Sequence, residues 1–189
     1  MDKIAIDIPT TLIYEMEGDT PIYYKGYHAY LNNEKSIEEL MGSSYLQSLI
    51  ISKLVYILTH HLGIDFTVLT NEVGIKFKEK GWRAADIAVF DKKSLVGVPL
   101  DNKYINIPPQ LVIEIDTKAD FQELNDPFQY YHNKTEELLS FGVEKVIWIF
   151  TDSKKIMVAE PNKTWTIQGW DKPLYIIQDL SLTIEEIIL

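Results

Sequence analysis

The stretch Leu111-Val112-Ile113-Glu114-Ile115-Asp116 has the composition of a strand buried within a sheet, yet it carries a carboxylate. Alternate side chains of a strand share a face, so Leu111, Ile113 and Ile115 lie on one side and Val112, Glu114 and Asp116 on the other. An ionised group in such a strand costs several kcal/mol unless something compensates for it. A second piece, Ala84-Ala85-Asp86-Ile87-Ala88-Val89-Phe90, repeats the anomaly at Asp86. Two buried-strand carboxylates predict a divalent cation. A hard cation such as Mg²⁺ takes oxygen ligands in near-octahedral geometry, from one or two carboxylates with water and substrate phosphate. If the two strands are adjacent, Asp86, Glu114 and the backbone carbonyl of Ile115 meet that requirement.

Outward from these strands, the spacing of Leu46, Leu49, Ile50, Leu54, Ile57 and Leu58 predicts a helix over Tyr45–Leu62 that Ser43 or Ser44 caps and Gly63 stops. Ser36 with Glu39 reads as a capping box on a shorter helix before it. Residues 1–35 are rich in tyrosine and turn signals and predict extended or hairpin-like structure. Asp65–Thr70, Val73–Lys78 and Ala85–Phe90 read as three consecutive antiparallel strands, because their connections are too short for parallel crossovers. A helix over Asp126–Phe141 opens on Asp126-Pro127 and ends at Gly142. Lys145–Phe150 is a strongly apolar strand, followed by strand candidates Lys155–Ala159 and Thr164–Gln168 and a last helix near Thr183–Ile188. This order predicts an α/β (α+β) sandwich with a central mixed sheet flanked by helices, in one domain over 1–189 with its core at about 40–160.

With 46 % hydrophobic and 12 % aromatic residues, 189 residues supply one real core and exclude a disordered chain. No cysteine occurs, which rules out disulfides and thiolate metal sites and fits a reducing cytoplasm. The N-terminus lacks the pattern of a signal peptide, and the apolar runs fall short of the roughly 18 to 20 residues of a membrane span. A soluble cytoplasmic protein is expected. The net charge of −10 opposes non-specific binding to nucleic acid or anionic membrane at long range, although a bound metal offsets it locally.

Three pieces in order, Ala85-Asp86-Ile87-Ala88-Val89-Phe90, Pro109-Gln110-Leu111-Val112-Ile113-Glu114 and Lys134 to Trp148 with Gly142-Val143 between, resemble the Uma-two family of restriction-endonuclease-like proteins within the PD-(D/E)XK nuclease superfamily. The resemblance covers about residues 40–160. It implies a four-stranded mixed core, hydrolysis of DNA phosphodiester bonds with Mg²⁺ or Mn²⁺, and a metal held by Asp86 and Glu114. It also implies that Lys134 orients the attacking water or stabilises charge on the phosphate. Three positions depart from the superfamily pattern: Ala85 stands for a proline, Asp116 for the lysine two residues after the glutamate, and Thr117 for a serine. The family resembled commonly lacks that strand lysine and uses one on the next helix, which nominates Lys134. By analogy with nucleases that pair to cut both strands, a homodimer is expected.

Lys134 sits at the edge of the apolar stripe formed with Tyr131, Leu138 and Phe141, where it either reaches over the sheet or snorkels to solvent. Asp116 is either a third metal-site carboxylate or a strand-end cap. Lys118 is the alternative to Lys134 as the working lysine, or a loop charge. Lys76 and Lys78 alternate along a strand and either contact phosphates or form a solvated face. Arg83 either pairs with phosphate or neutralises nearby carboxylates, and Trp82 either stacks on a base or closes the core. Adjacent His60 and His61 point about 100° apart on a helix and do not share an ion. No nucleophile-elbow serine or phosphate-cradling glycine loop occurs. Two functions follow from the sequence: a Mg²⁺-dependent endonuclease, or a catalytically inactive nuclease-fold module for binding or assembly.

Overall fold

A computed structural model describes residues 8–77, 81–121 and 127–189. In chain order the strands are β1 (Ile13–Glu17), β2 (Thr20–Tyr23), β3 (Phe66–Lys76), β4 (Trp82–Asp91), β5 (Leu111–Ile115), β6 (Lys145–Phe150), β7 (Lys155–Ala159), β8 (Thr166–Gly169), β9 (Leu174–Ile177) and β10 (Leu180–Leu182). The helices are α1 (Tyr27–Leu31), α2 (Ile37–Met41), α3 (Tyr45–Leu62), α4 (Pro127–Phe141) and α5 (Ile184–Ile188). Strands β1 to β8 form a mixed sheet in which β2-β1-β4-β5-β6-β7-β8 are successive neighbours and β3 also pairs with β4. All of these pairings are antiparallel except that of β5 with β6. The exception has a cause: α4 joins β5 to β6, and a helical crossover returns the chain in the same direction.

Alternation along the central strands builds two cores. Ile87, Val89, Leu111, Ile113, Ile115, Ile147 and Ile149 face α3, whose Ile50, Leu54, Leu58 and Leu62 form its buried stripe. Ala88, Phe90, Val112, Val146 and Trp148 face the opposite way, toward Leu138 of α4. Glu114 belongs to this second face by parity with Val112. The mostly β-branched α3 face of the sheet and the aromatic α4 face are thus both dry, which is why β5 is buried at every position.

The helix over Tyr45–Leu62 forms with the limits its periodicity predicts, and Gly63 ends it at φ 62°, in the left-handed region glycine favours. Both capping boxes are made, Ser36 with Glu39 and Thr183 with Glu186. Of the extended structure expected over residues 1–35, the hairpin β1–β2 forms but Tyr27–Leu31 is the helix α1, and residues 1–7 and Asp126, the expected cap of α4, lie outside the described residues. The two strands expected over Asp65–Lys78 are one strand, β3, paired with β4 from Phe66↔Asp91 to Lys76↔Trp82 and broken only by a bulge between Thr70 and Val73. Asn71 (φ 76°) and Glu72 (φ 55°) form that bulge, a two-against-one insertion that bends the strand without ending it. Strand β5 stops one residue before its expected end, and β9–β10 is an additional hairpin packed on the α3 side.

Ser44 caps α3 through a hydrogen bond from the Gln47 backbone N–H at 3.1 Å. Ser44→Ala is expected to cost about 1 kcal/mol, read as a lower denaturant midpoint at constant slope.

Candidate active site

The long strand β4 has β3 along one whole edge. Its other edge is shared, with β1 pairing at Trp82 and β5 pairing from Ile87 to Val89. The strands fork between these points, and there side chains take over from backbone partners. Glu15 of β1 accepts the Ala84 N–H at 3.0 Å, and Lys134 of α4 donates to the Ala84 carbonyl at 2.8 Å. Asp86 accepts the Ile115 N–H at 2.7 Å through Oδ2. The fork is therefore closed by charged groups that satisfy buried backbone.

Four ionisable side chains in it are buried: Glu15, Arg83, Glu114 and Lys134. Lys134 Nζ lies 2.7 Å from Glu15 Oε1 and 3.0 Å from Glu114 Oε1. Arg83 reaches Glu15 Oε2 at 3.2 Å, Glu137 Oε2 at 2.7 Å and Glu17 Oε2 at 3.2 Å. Tyr130 donates its hydroxyl to Glu15 Oε2 at 2.8 Å. Two buried cations thus face two buried carboxyl groups, with Asp86 half-buried beside them. Burial raises its pKa, opposed by the Ile115 N–H and by the charges of Lys134 and Lys118.

Two buried atoms of the cluster, Arg83 Nη2 and Glu114 Oε1, make no hydrogen bond among the described residues, and of the two only that of Glu114 offers a lone pair. Its Oε1 accepts no hydrogen bond, because the Lys134 contact is an ion pair without hydrogen-bond geometry. Burial pushes its pKa up to about 8, with Lys134 pulling it down and Asp86 and Glu15 adding to the rise. Burial acts on Lys134 in the opposite sense, but Glu114 and Glu15 outweigh it and raise its pKa. A buried carboxyl oxygen with one ammonium at 3.0 Å and no hydrogen bond, acted on by a second, half-buried carboxylate, is an environment a hard dication relieves. The carbonyl of Ile115, the residue that follows Glu114 and whose N–H Asp86 accepts, takes a hydrogen bond from Gln47 Nε2 of α3 at 2.9 Å, which leaves it one further lone pair. Asp86, Glu114 and the Ile115 carbonyl therefore fit a metal as a donor set. No cluster of three or more histidine, cysteine or acidic side chains suited to a metal occurs among the described residues.

The structure thus pairs Lys134 with Glu114 and sets Asp86 beside them, and it gives Asp116, Arg83 and Lys118 partners of their own. Asp116 leaves the strand at φ 57°, so the shared face expected of it ends at Glu114. Its carboxylate instead accepts from Thr151 N at 2.8 Å and Thr151 Oγ1 at 2.6 Å, capping the end of β6. Arg83, expected as a phosphate contact or a counter-charge, is wholly buried and committed to carboxylates. It is not a surface cation. Lys76 is exposed on β3, and Lys78 lies outside the described residues. Lys118 pairs with Glu72 and donates to the Met41 carbonyl at 2.8 Å.

Glu15 and Gln47 are functional candidates that the sequence does not disclose. In Ile13-Tyr14-Glu15-Met16-Glu17 the acidic residues alternate as on a solvated strand face. Gln47 is one polar residue in a helix with many. Only the hairpin over the fork, and the seating of α3 against Ile115, bury them.

The Uma2 family, described as putative restriction endonuclease, matches residues 25–185. A solved structure from Anabaena variabilis, described as a putative nuclease belonging to DUF820, superposes with a TM-score of 0.61 at 17 % identity, covering 77 % of this chain and 81 % of that one. At that identity the likeness concerns the fold, a sheet of mostly antiparallel strands flanked by helices. No curated protein sequence matches significantly.

Proposed function

This chain belongs to the Uma2 family of putative restriction endonucleases, and we propose that it is a metal-dependent endonuclease hydrolysing phosphodiester bonds of DNA. Asp86, Glu114 and the carbonyl of Ile115 would hold Mg²⁺ or Mn²⁺. One observation carries the reading: the donorless, buried Oε1 of Glu114 lies in a charge cluster that also includes Asp86, and Asp86 lines an open cleft. A dication bound there lowers the pKa of water and polarises a phosphate.

The chain's own groups have distinct tasks. Asp86 is the carboxylate on the cleft. Its hydrogen bond from Ile115 N ties β4 to β5 and sets the angle between the two carboxylates. Gln47 fixes the Ile115 peptide from the other side. Lys134, fully buried, donates to Glu15 and to the Ala84 carbonyl at 2.7 and 2.8 Å and forms an ion pair with Glu114 at 3.0 Å, so it acts behind Glu114. It favours the ionised carboxylate and holds it in place, so its contribution to charge on the phosphate passes through that residue.

The alternative, an inactive nuclease-fold module for binding or assembly, draws on the net charge of −10 and on the commitment of Lys134 to Glu15. Cleavage of supercoiled plasmid with Mg²⁺ or Mn²⁺, against a chelator control, separates the two. Metal-dependent nicking or linearisation by the purified wild type supports the nuclease. Its absence under both ions overturns it.

Metal affinity should depend on pH. Glu114 must lose its proton to bind a cation, so affinity for Mn²⁺ rises as pH climbs toward 8, by up to about tenfold per unit. Without metal the sign reverses for stability. The folded state holds this proton more tightly than the unfolded chain, so stability falls as pH rises from the ordinary carboxyl value of 4.5 toward about 8. Calorimetric titration with Mn²⁺ at two pH values checks the first statement, and metal-free melting curves across the same range check the second. Equal affinities at pH 6 and pH 8 would show that Glu114 does not bind the ion as assigned.

A further inference from the structure

Asp86 opens onto a cleft of about 340 Å³ between α3 and the bulge of β3. Ser48 and Ser52, one turn apart on α3, form one wall, and Asn71 and Glu72 form the other. Lys118 is the only cation lining it among the described residues. The bulge faces Asp86 across the ladder: Thr70 pairs with Ile87 and Val73 with Ala85, which leaves Asn71 and Glu72 opposite Asp86 alone. The irregularity in β3 therefore brings a carboxylate, Glu72, to the cleft mouth, where it pairs with Lys118.

Given the nuclease reading, on which this inference rests, we propose that Lys118 is the residue that holds a non-bridging oxygen of the DNA phosphate in the cleft, and that Glu72 occupies its ammonium until DNA arrives. Three observations support it. The buried Lys134 has no path to substrate, whereas Lys118 lines the same cleft as Asp86. An ammonium has three N–H donors, and those of Lys118 that have described partners go to the Met41 carbonyl and to Glu72. One donor is left for a phosphate oxygen, and a second is released when Glu72 gives way. Finally, a chain of net charge −10 needs a local cation wherever DNA is to approach two carboxylates. Phosphate is the ligand that the cleft's hydroxyl groups and single ammonium suit, since both donate to its oxygens.

The test is the sign of two substitutions. Binding of a short fluorescein-labelled DNA duplex is followed by anisotropy with Ca²⁺ in place of Mg²⁺, and cleavage is assayed separately with Mg²⁺. Lys118→Ala should weaken binding about five- to tenfold and lower the slope of log affinity against log salt by about 1. Glu72→Gln breaks the same ion pair but frees the ammonium and removes a repelling charge, so it should tighten binding about threefold. A purely structural ion pair predicts the same sign for both. Binding that weakens in both variants, or changes in neither, overturns the inference while leaving wild-type cleavage and the nuclease reading intact. Opposite signs without any wild-type cleavage would support the phosphate contact and overturn the nuclease. Should Lys118→Ala fail to fold, tightening in Glu72→Gln supports the proposal and weakening or no change overturns it.

Discussion

Glu114→Gln should leave the protein folded and cut its metal-dependent DNA cleavage at least about a thousandfold, equivalent to roughly 4 kcal/mol of transition-state stabilisation. The two halves of this expectation come from the same atoms. Glutamine is the shape of a protonated glutamate, and burial already pushes Glu114 toward its protonated form. The substitution removes no partner that Lys134 depends on, because Glu15 Oε1 and the Ala84 carbonyl still accept from it at 2.7 and 2.8 Å. Stability in the absence of metal should therefore hold to within about 1 kcal/mol. The metal site, however, is left with Asp86 as its only carboxylate. Cleavage of plasmid under Mg²⁺, with Mn²⁺ binding by calorimetry and a melting curve on the same sample, measures all three effects. A Glu114→Gln protein that binds Mn²⁺ and cleaves as the wild type does would refute the site.

Lys134→Met should do the reverse and act first on stability. Methionine fills the space of the lysine stem but supplies no charge, so Glu15, Glu114 and the Ala84 carbonyl each lose a buried partner. Removing one member of a buried ion cluster costs about 3–5 kcal/mol, and the lower end applies here because Arg83 and Tyr130 still answer Glu15. For a chain of this length about 3 kcal/mol corresponds to a melting temperature lower by roughly 6–12 °C. The loss should grow between pH 7 and pH 9. Without Lys134, Glu114 stays protonated to higher pH, so the variant goes on losing stability above about pH 8, where the wild-type carboxyl ionises and its own loss levels off. Melting curves of wild type and variant at both pH values test this. A loss below about 1 kcal/mol, constant with pH, would mean that Lys134 is solvated.

How much of this was legible in the sequence depends on how local the signal is. Residues Tyr45–Leu62 announce a helix through an apolar period, a serine cap and a terminal glycine, all of which act within a few residues. Asp86 and Glu114 stand out for the same reason, since each interrupts a short apolar strand. The bulge of β3 is different. Asn71 and Glu72 fall between the two strands expected there, and only pairing with an unbroken β4 shows that they are an insertion within one strand.

The charges divide along the same line. Glu15, Arg83 and Lys134 have the sequence surroundings of surface residues, and each is buried because β1 and β5 part along one edge of β4 and leave Ala84 to be satisfied by side chains. Asp116, one residue beyond the strand, could be read equally as a ligand or a cap, and the turn at its positive φ sends its carboxylate to Thr151. The long helix α3, the apolar strands and the two carboxylates out of place in them are legible from the chain alone, because they follow from short-range periodicity and from the cost of burying charge, whereas the short helix α1 carries no such signal. The tertiary structure alone decided which charges meet, through the fork that brings Glu15, Lys134 and Glu114 to one point. Which face of a strand or helix becomes dry depends on what packs against it, and that partner is distant in the chain.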